Sequence, residues 1–187
     1  SAIVSGGAVT NLKGAESTGG VVQKNHAKVT SGNVNNIAIG AASVNGEAVG
    51  NDVSVTGGTV NTAIGGESTN GAAKGNSAIV SGGTVTNLIG GQGASSEGDG
   101  VAVTGGTVNT SIIGGKATTG DAVKANVRLA GGIVNGNVYG ADAAGSATDN
   151  GVAVTGGTVQ AHIYGAKAAG SADRNWARLD TAVTGDI

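Results

Sequence analysis

The sequence predicts an all-β fold, a right-handed parallel β-helix (β-solenoid) with about 25 residues in each rung, and three observations predict it. Aliphatic residues recur at one phase of a fixed period, at Val4, Val29, Val55, Val80, Val103, Leu129, Val154 and Leu179, with separations of 25, 26, 25, 23, 26, 25 and 25. A period in the twenties is the signature of a solenoid, in which each supersecondary unit buries its apolar face only against the units above and below. A second aliphatic column follows five residues later, at Val9, Val34, Val60, Val85, Val108, Val134 and Val159. Between the two columns stands a bend that is Gly-Gly in every rung except Ser31-Gly32.

Each element of the rung follows from its residues. The first segment alternates inward aliphatics with small or polar residues, as at Val101 and Val103 or Val152 and Val154, which is the period of a strand. Glycine at the bend permits the backbone a conformation that side chains oppose. The second segment is expected to present Val60 with Ile64, Val108 with Ile112, Val134 with Val138 and Val159 with Ile163. Rungs ending at Ile113, Tyr139 or Tyr164 carry one residue more than those ending at Ile64 or Ile89, which a β-bulge would absorb. After a second glycine bend comes a stretch rich in Ala, Gly, Ser and Thr, such as Lys116 to Asn126, read as a short third strand and a loop. The 23-residue step is assigned to residues lost from the loop around Gly93 to Gly98. Seven full rungs and a partial one make a single domain over 1–187, a rod roughly 34 Å long at the strand spacing of a sheet. The right-handed sense is expected because parallel crossovers almost always take that hand.

Composition narrows the function. With no Phe, Met or Cys and one Trp, the core must be thin and built from β-branched residues and alanine. Absence of cysteine removes disulfides, thiol catalysis and cysteine metal sites together. A net charge of −2 offers no basic face to nucleic acid, and no apolar run has membrane-spanning length. Ser1 opens directly in a repeat, so the chain is expected to be a piece of a longer protein.

Stacked rungs bring equivalent residues together, and the polar columns are self-compatible. Asn25, Asn51, Asn76, Asp99, Asn150 and Asn175 share one phase, with Asn126 one place late, and stacked amides bond along an axis. Lys116, Asp142 and Lys167 share another phase, and Lys124, Asp149 and Arg174 a third. Opposite charges on neighbouring strands attract by tenths of a kcal/mol, so these are read as solvated structural ladders.

Nothing assembles a catalytic centre. His26 and His162 fall on different parts of the repeat, and the carboxylates are scattered at one or two per rung. A polysaccharide-cleaving solenoid needs clustered acids and a base on one face, for which Asp142 with Asp149, or Asp173 with Arg174, are the best available pairs. The glycine pairs match neither a phosphate loop nor a calcium nonapeptide. No cofactor is expected. Ile113, Tyr139 and Tyr164 fall at one phase of consecutive rungs with outward parity, a candidate binding surface for a sugar or another protein. Trp176 stands where His26 stands earlier and is assigned to capping the end of the core.

The repeat core reads VTGGTVNTSIIGG from Val103, VSGGTVTNLIGG from Val80 and LAGGIVNGNVYGA from Leu129. It resembles the passenger regions of bacterial autotransporters of the type V secretion pathway, over nearly the whole chain. The stretch Asn36 to Asn51 is also similar to head repeats of trimeric autotransporter adhesins, which run at a shorter period. The resemblance implies a right-handed β-helix displayed outside the bacterial cell as an adhesin, self-association module or stalk. The expected function is a non-catalytic structural or adhesive module, whose partner is a second copy of itself or a surface glycan or protein. A filament of copies stacked head to tail and a polysaccharide-acting enzyme are the alternatives.

Overall fold

The computed structural model describes residues 1–180. They form a parallel β-solenoid of about seven rungs of some 25 residues, without a helix. Fifteen strands make one continuous wrapped sheet that carries the first and second segments of each rung, and seven strands of two or three residues make the third wall.

Like sits on like. All seven steps of the first aliphatic column are paired, from Val4 with Val29 through Val103 with Leu129 to Val154 with Leu179. The second column is paired from Val9 with Val34 to Val134 with Val159. From Val29 to Val154 and from Val34 to Val159 these side chains are at most 1% exposed, so the thin core is dry. Burying a valine removes its area from water at roughly 25 cal/mol per Å². A rung has few such residues, so each depends on its neighbours, as in other quasi-one-dimensional folds.

The bend shows why glycine recurs. The second glycine of each pair has positive φ, 77° at Gly58, and a Cβ there would come within 2.3 Å of the Gly32 carbonyl oxygen of the rung below. Conformation and close stacking both exclude a side chain.

The second segment departs from the sequence reading. Ile64 does not belong with Ile112: the inward column is Leu12, Ala38, Ala63, Leu88, Ile112, Val138 and Ile163. Ile64 pairs with Ile89, and Ile89 with Ile113, on the opposite parity. The inserted residue is absorbed before the core column, at register shifts between Val34 and Ile37 and between Val85 and Asn87, so the parity of everything after the bulge is preserved. Counting residues from the valine without placing the bulge assigned Ile64 to the wrong face.

The third wall stacks Val22, Ala48, Ala73, Ser96, Ala122, Ala147 and Ala172. The short step loses its two residues between Gln92 and Ser95, where Gln92 lies opposite Glu67 and Ser95 opposite Ala72. The segment Asn36–Asn51 keeps the common frame, with Ile39 on Ile64 and Ala48 on Ala73.

Candidate functional site: a lengthwise groove and its ladders

The column that holds Ile113, Tyr139 and Tyr164 begins much earlier, as Ile39, Ile64, Ile89, Ile113, Tyr139 and Tyr164. Its four isoleucines form a cluster separate from the core. They point away from the interior into a concave angle between the second segment and the residues after the second bend. Thr62, Asn87 and Ser111 make one wall and Gln92 and Lys116 part of the other, around an open groove of about 340 Å³. Ile113 itself is buried, 8% exposed, because ladder neighbours and groove walls cover it. Sequence parity placed these residues outside correctly but carried no sign of the concavity that shields them.

The aromatic end differs. The Tyr139 and Tyr164 rings stack with centroids 5.0 Å apart and planes 8° from parallel, and Tyr164 is 39% exposed. Tyr139 packs against the isoleucine cluster on its other side. Both faces of Tyr139 and one face of Tyr164 are therefore used along the axis, and the pair offers edges and hydroxyls to the groove. The Asn137 Nδ2 donates to the Tyr139 hydroxyl at 3.1 Å.

The groove wall beyond the bend is a column of alternating polarity. Lys116 lies opposite Asp142, and Asp142 opposite Lys167, whose Nζ is 3.5 Å from the Asp142 Oδ1. Below them the Gln92 Nε2 donates to the Glu67 Oε1 at 2.9 Å. In the third predicted column, Arg174 binds both Asp149 oxygens, at 2.6 and 3.0 Å. That bonding holds the Asp149 carboxyl below its ordinary range and raises the guanidinium. Lys124, Asp149 and Arg174 all have positive φ, at a corner where Gly50, Gly75 and Gly98 stand in other rungs. Their shared phase thus marks a left-handed corner as well as a ladder, which charge alone did not reveal.

The asparagine column is the wire that runs inside. The Nδ2 of Asn25 donates to the Asn51 Oδ1, that of Asn51 to Asn76, and that of Asn76 to Asp99. Above a gap at Ala125, Asn150 donates to Asn175. Each Oδ1 also takes the backbone N–H of the residue below it, and the second Nδ2 proton caps a third-wall carbonyl, Ala48 for Asn76 and Ala122 for Asn150. The late Asn126 stands in the first segment instead, opposite Gly100 and Gly151. Among the described residues no buried side-chain nitrogen or oxygen lacks a partner.

Sequence reasoning placed Asp99 in the asparagine column but missed Ser96 and the burial of the pair. Asp99 and Ser96 are 0% and 2% exposed, with the Ser96 hydroxyl donating to the Asp99 Oδ2 at 2.6 Å. Burial pushes the Asp99 carboxyl up to about 6, against the opposing hydrogen bonds from Ser96 and Asn76. A serine where other rungs carry alanine or valine, three residues before an aspartate where they carry asparagine, was a signal available in the alignment of repeats.

Asp142 and Asp149 belong to different ladders, each with its own cation. His26 pairs through Nδ1 with the Asp52 carboxylate, rungs away from His162. Among the described residues no three metal-binding side chains cluster, and no helix is long and apolar enough to cross a membrane. Comparison with models of protein families, with curated proteins and with solved structures finds no match.

Trp176 corrects another expectation. It shares the His26 column, through Asp52, Ser77, Gly100, Asn126 and Gly151, as the spacing predicts. It does not cap the core. That column faces outward, Trp176 is 44% exposed, and Ala177 and Leu179 are the residues that pack on the core.

Proposed function

We propose that the chain is a non-catalytic rod segment of an autotransporter-type passenger, displayed at the bacterial surface, that associates with a neighbouring surface through its lengthwise groove. The observation that carries this reading is the register: seven rungs repeat one plan, and their polar side chains are spent on holding rung to rung. A side chain bonded along the axis is not poised for chemistry, because its donors and acceptors are already engaged. The groove departs from that plan, with an apolar floor, an aromatic end and a wall of alternating charge. Edges and hydroxyls of Tyr139 and Tyr164 suit a second protein surface, and a second copy of the chain presents the same complementary wall.

Cells displaying the protein, and the purified chain in sedimentation at high concentration, test this together. The wild type is expected to clump cells and to associate, and Tyr139→Ala with Tyr164→Ala to do neither while keeping its β-sheet spectrum. Equal clumping and association by the double variant would remove the groove from the account. Polysaccharide turnover lost in Asp142→Asn or Asp149→Asn would overturn the non-catalytic reading.

A further inference from the structure

On a different face from the groove, the outer surface of the first segment carries an aromatic platform. A Cβ on Gly151 would fall 2.1, 2.3 and 2.6 Å from Cε2, Cζ2 and Cδ2 of Trp176. Three adjacent ring atoms at such similar distances mean that the Gly151 Cα–Cβ direction meets the face of the indole, so the ring lies flat upon the strand. Gly151 is buried although its column faces outward, and the indole is what covers it. With one face on the strand, Trp176 still keeps 44% of its surface exposed. A residue with a side chain at 151 would lift the ring on edge, so this glycine and the flat tryptophan form one device.

Beside the platform the strand surface is low. Ser77, Gly100, Ala102 and Ala153 carry little above the backbone, and with Trp176 and the exposed Ile79 they line a shallow depression of about 400 Å³. That is within the size range of small-ligand sites. Two long polar side chains border it. Asn126 is the register neighbour of Gly151, one strand spacing from the bed of the indole, and Arg128 stands two residues on, on the same face, opposite Ala153. Both are exposed, and among the described residues Arg128 has no carboxylate within ion-pair distance, whereas Lys74, Lys167, Arg174 and Arg178 each have one.

An exposed flat aromatic ring flanked by a planar amide and a free guanidinium matches one ligand chemistry well. A pyranose ring lays its patch of C–H groups on an aromatic face, its hydroxyls bond to a side-chain amide, and a carboxylate at its edge accepts two parallel bonds from arginine. We infer that the Trp176 face of the rod binds an acidic saccharide, with the indole as stacking platform, Asn126 on a hydroxyl and Arg128 on the carboxylate. A nucleotide fits less well, because the depression offers one ring face and one cation, with neither a second stacking wall nor a phosphate-binding cluster.

The chain contains a single tryptophan, so its fluorescence reports on this site alone. Titration of the whole chain with an α-1,4-linked galacturonate disaccharide is expected to give a saturable change in emission in the millimolar range. Arg128→Ala, which keeps the reporter, is expected to weaken it at least tenfold, and Tyr139→Ala to leave it unchanged, so that failure here and failure of the groove reading are separable. Trp176→Ala, followed by calorimetry, is expected to lose binding while retaining its β-sheet circular dichroism. No saturable change through the millimolar range, equal binding of the neutral galactose disaccharide, undiminished binding by Arg128→Ala, or preference for AMP would each overturn the inference.

Discussion

Two adjacent rungs, one closing at Asn76 and the next at Asp99, share a frame, and one pair of buried positions three residues apart carries a different polar chemistry in each. The first has Ala73 and Asn76, the second Ser96 and Asp99. In the first, a neutral amide donates to the Ala48 carbonyl and to the next rung, and accepts from the rung below, so burial leaves nothing unbonded. In the second, a carboxyl has acceptors where the amide has donors, and a serine three residues earlier supplies a hydrogen bond in their place. The ladder stops there, since Ala125 occupies its place in the following rung. The contrast teaches that a stacked solenoid tolerates a change of chemistry inside a rung only when a second change compensates it, and that the compensation is incomplete: burial still raises the Asp99 carboxyl to about 6.

The strongest way to break the comparison is Asn76→Ala. It strips the buried Asn51 backbone N–H of its acceptor and the Ala48 carbonyl of its side-chain donor, leaves the Asn51 Nδ2 with the Val22 carbonyl alone, and removes the side-chain donor to Asp99 while the backbone N–H at 76 remains. Buried polar groups left unsatisfied cost about 1–3 kcal/mol each, so a loss of about 3 kcal/mol or more is expected in urea unfolding. Asp99→Asn should do the opposite. A carboxyl whose folded pKa lies above its unfolded value of 3.8 binds more protons in the native state, so its contribution to stability falls as pH rises from about 4 to 6. The substitution is therefore neutral near pH 4 and stabilises by about 2–3 kcal/mol at pH 7, on the scale of 1.36 kcal/mol per pKa unit. A stability difference that is flat from pH 4 to pH 7 would contradict it.

Ser96→Ala sharpens the same point. Alone at pH 7 it should cost about 1.5–3 kcal/mol, the worth of a hydrogen bond to a charged group, and in the Asp99→Asn background clearly less. The double-mutant cycle reads the coupling between the two positions directly. The smallest effect belongs to the left-handed corner, where Gly98 serves the Asp99 rung and Lys124 the one after it. Left-handed backbone costs a side chain roughly 1–2 kcal/mol and glycine pays part of that back in entropy, so Lys124→Gly should stabilise by about 1 kcal/mol or less.

Much of this architecture was legible because the period turns every residue choice into a column. Val103 and Val154 could be placed on one wall, and the asparagine phase recognised, by counting alone. What counting misjudged came from geometry within the rung. The parity of Ile64 depended on where a bulge falls, and the shielding of Ile113 on a concave angle that no periodicity encodes. Trp176 sat at the expected phase, but its role turned on Gly151, the one residue beneath it small enough to let the ring lie flat. Asp99 looked like a conservative stand-in for asparagine, although burial makes an acid and an amide unlike.

The stacking of one rung on the next is open to a direct measurement, because the chain has no cysteine. Ser54 and Ile79 are outward-facing register partners, and Ala102 is one rung further along the same column. Cysteines at 54 and 79 lie about one strand spacing apart, within the 4.4–6.8 Å Cα separation that a disulfide spans, whereas cysteines at 54 and 102 are about twice as far. Mild oxidation of the folded monomer is expected to close the 54–79 pair rapidly and leave the 54–102 pair as free thiols. Closure of both at similar rates, or of 54–102 alone, would contradict a 25-residue rung.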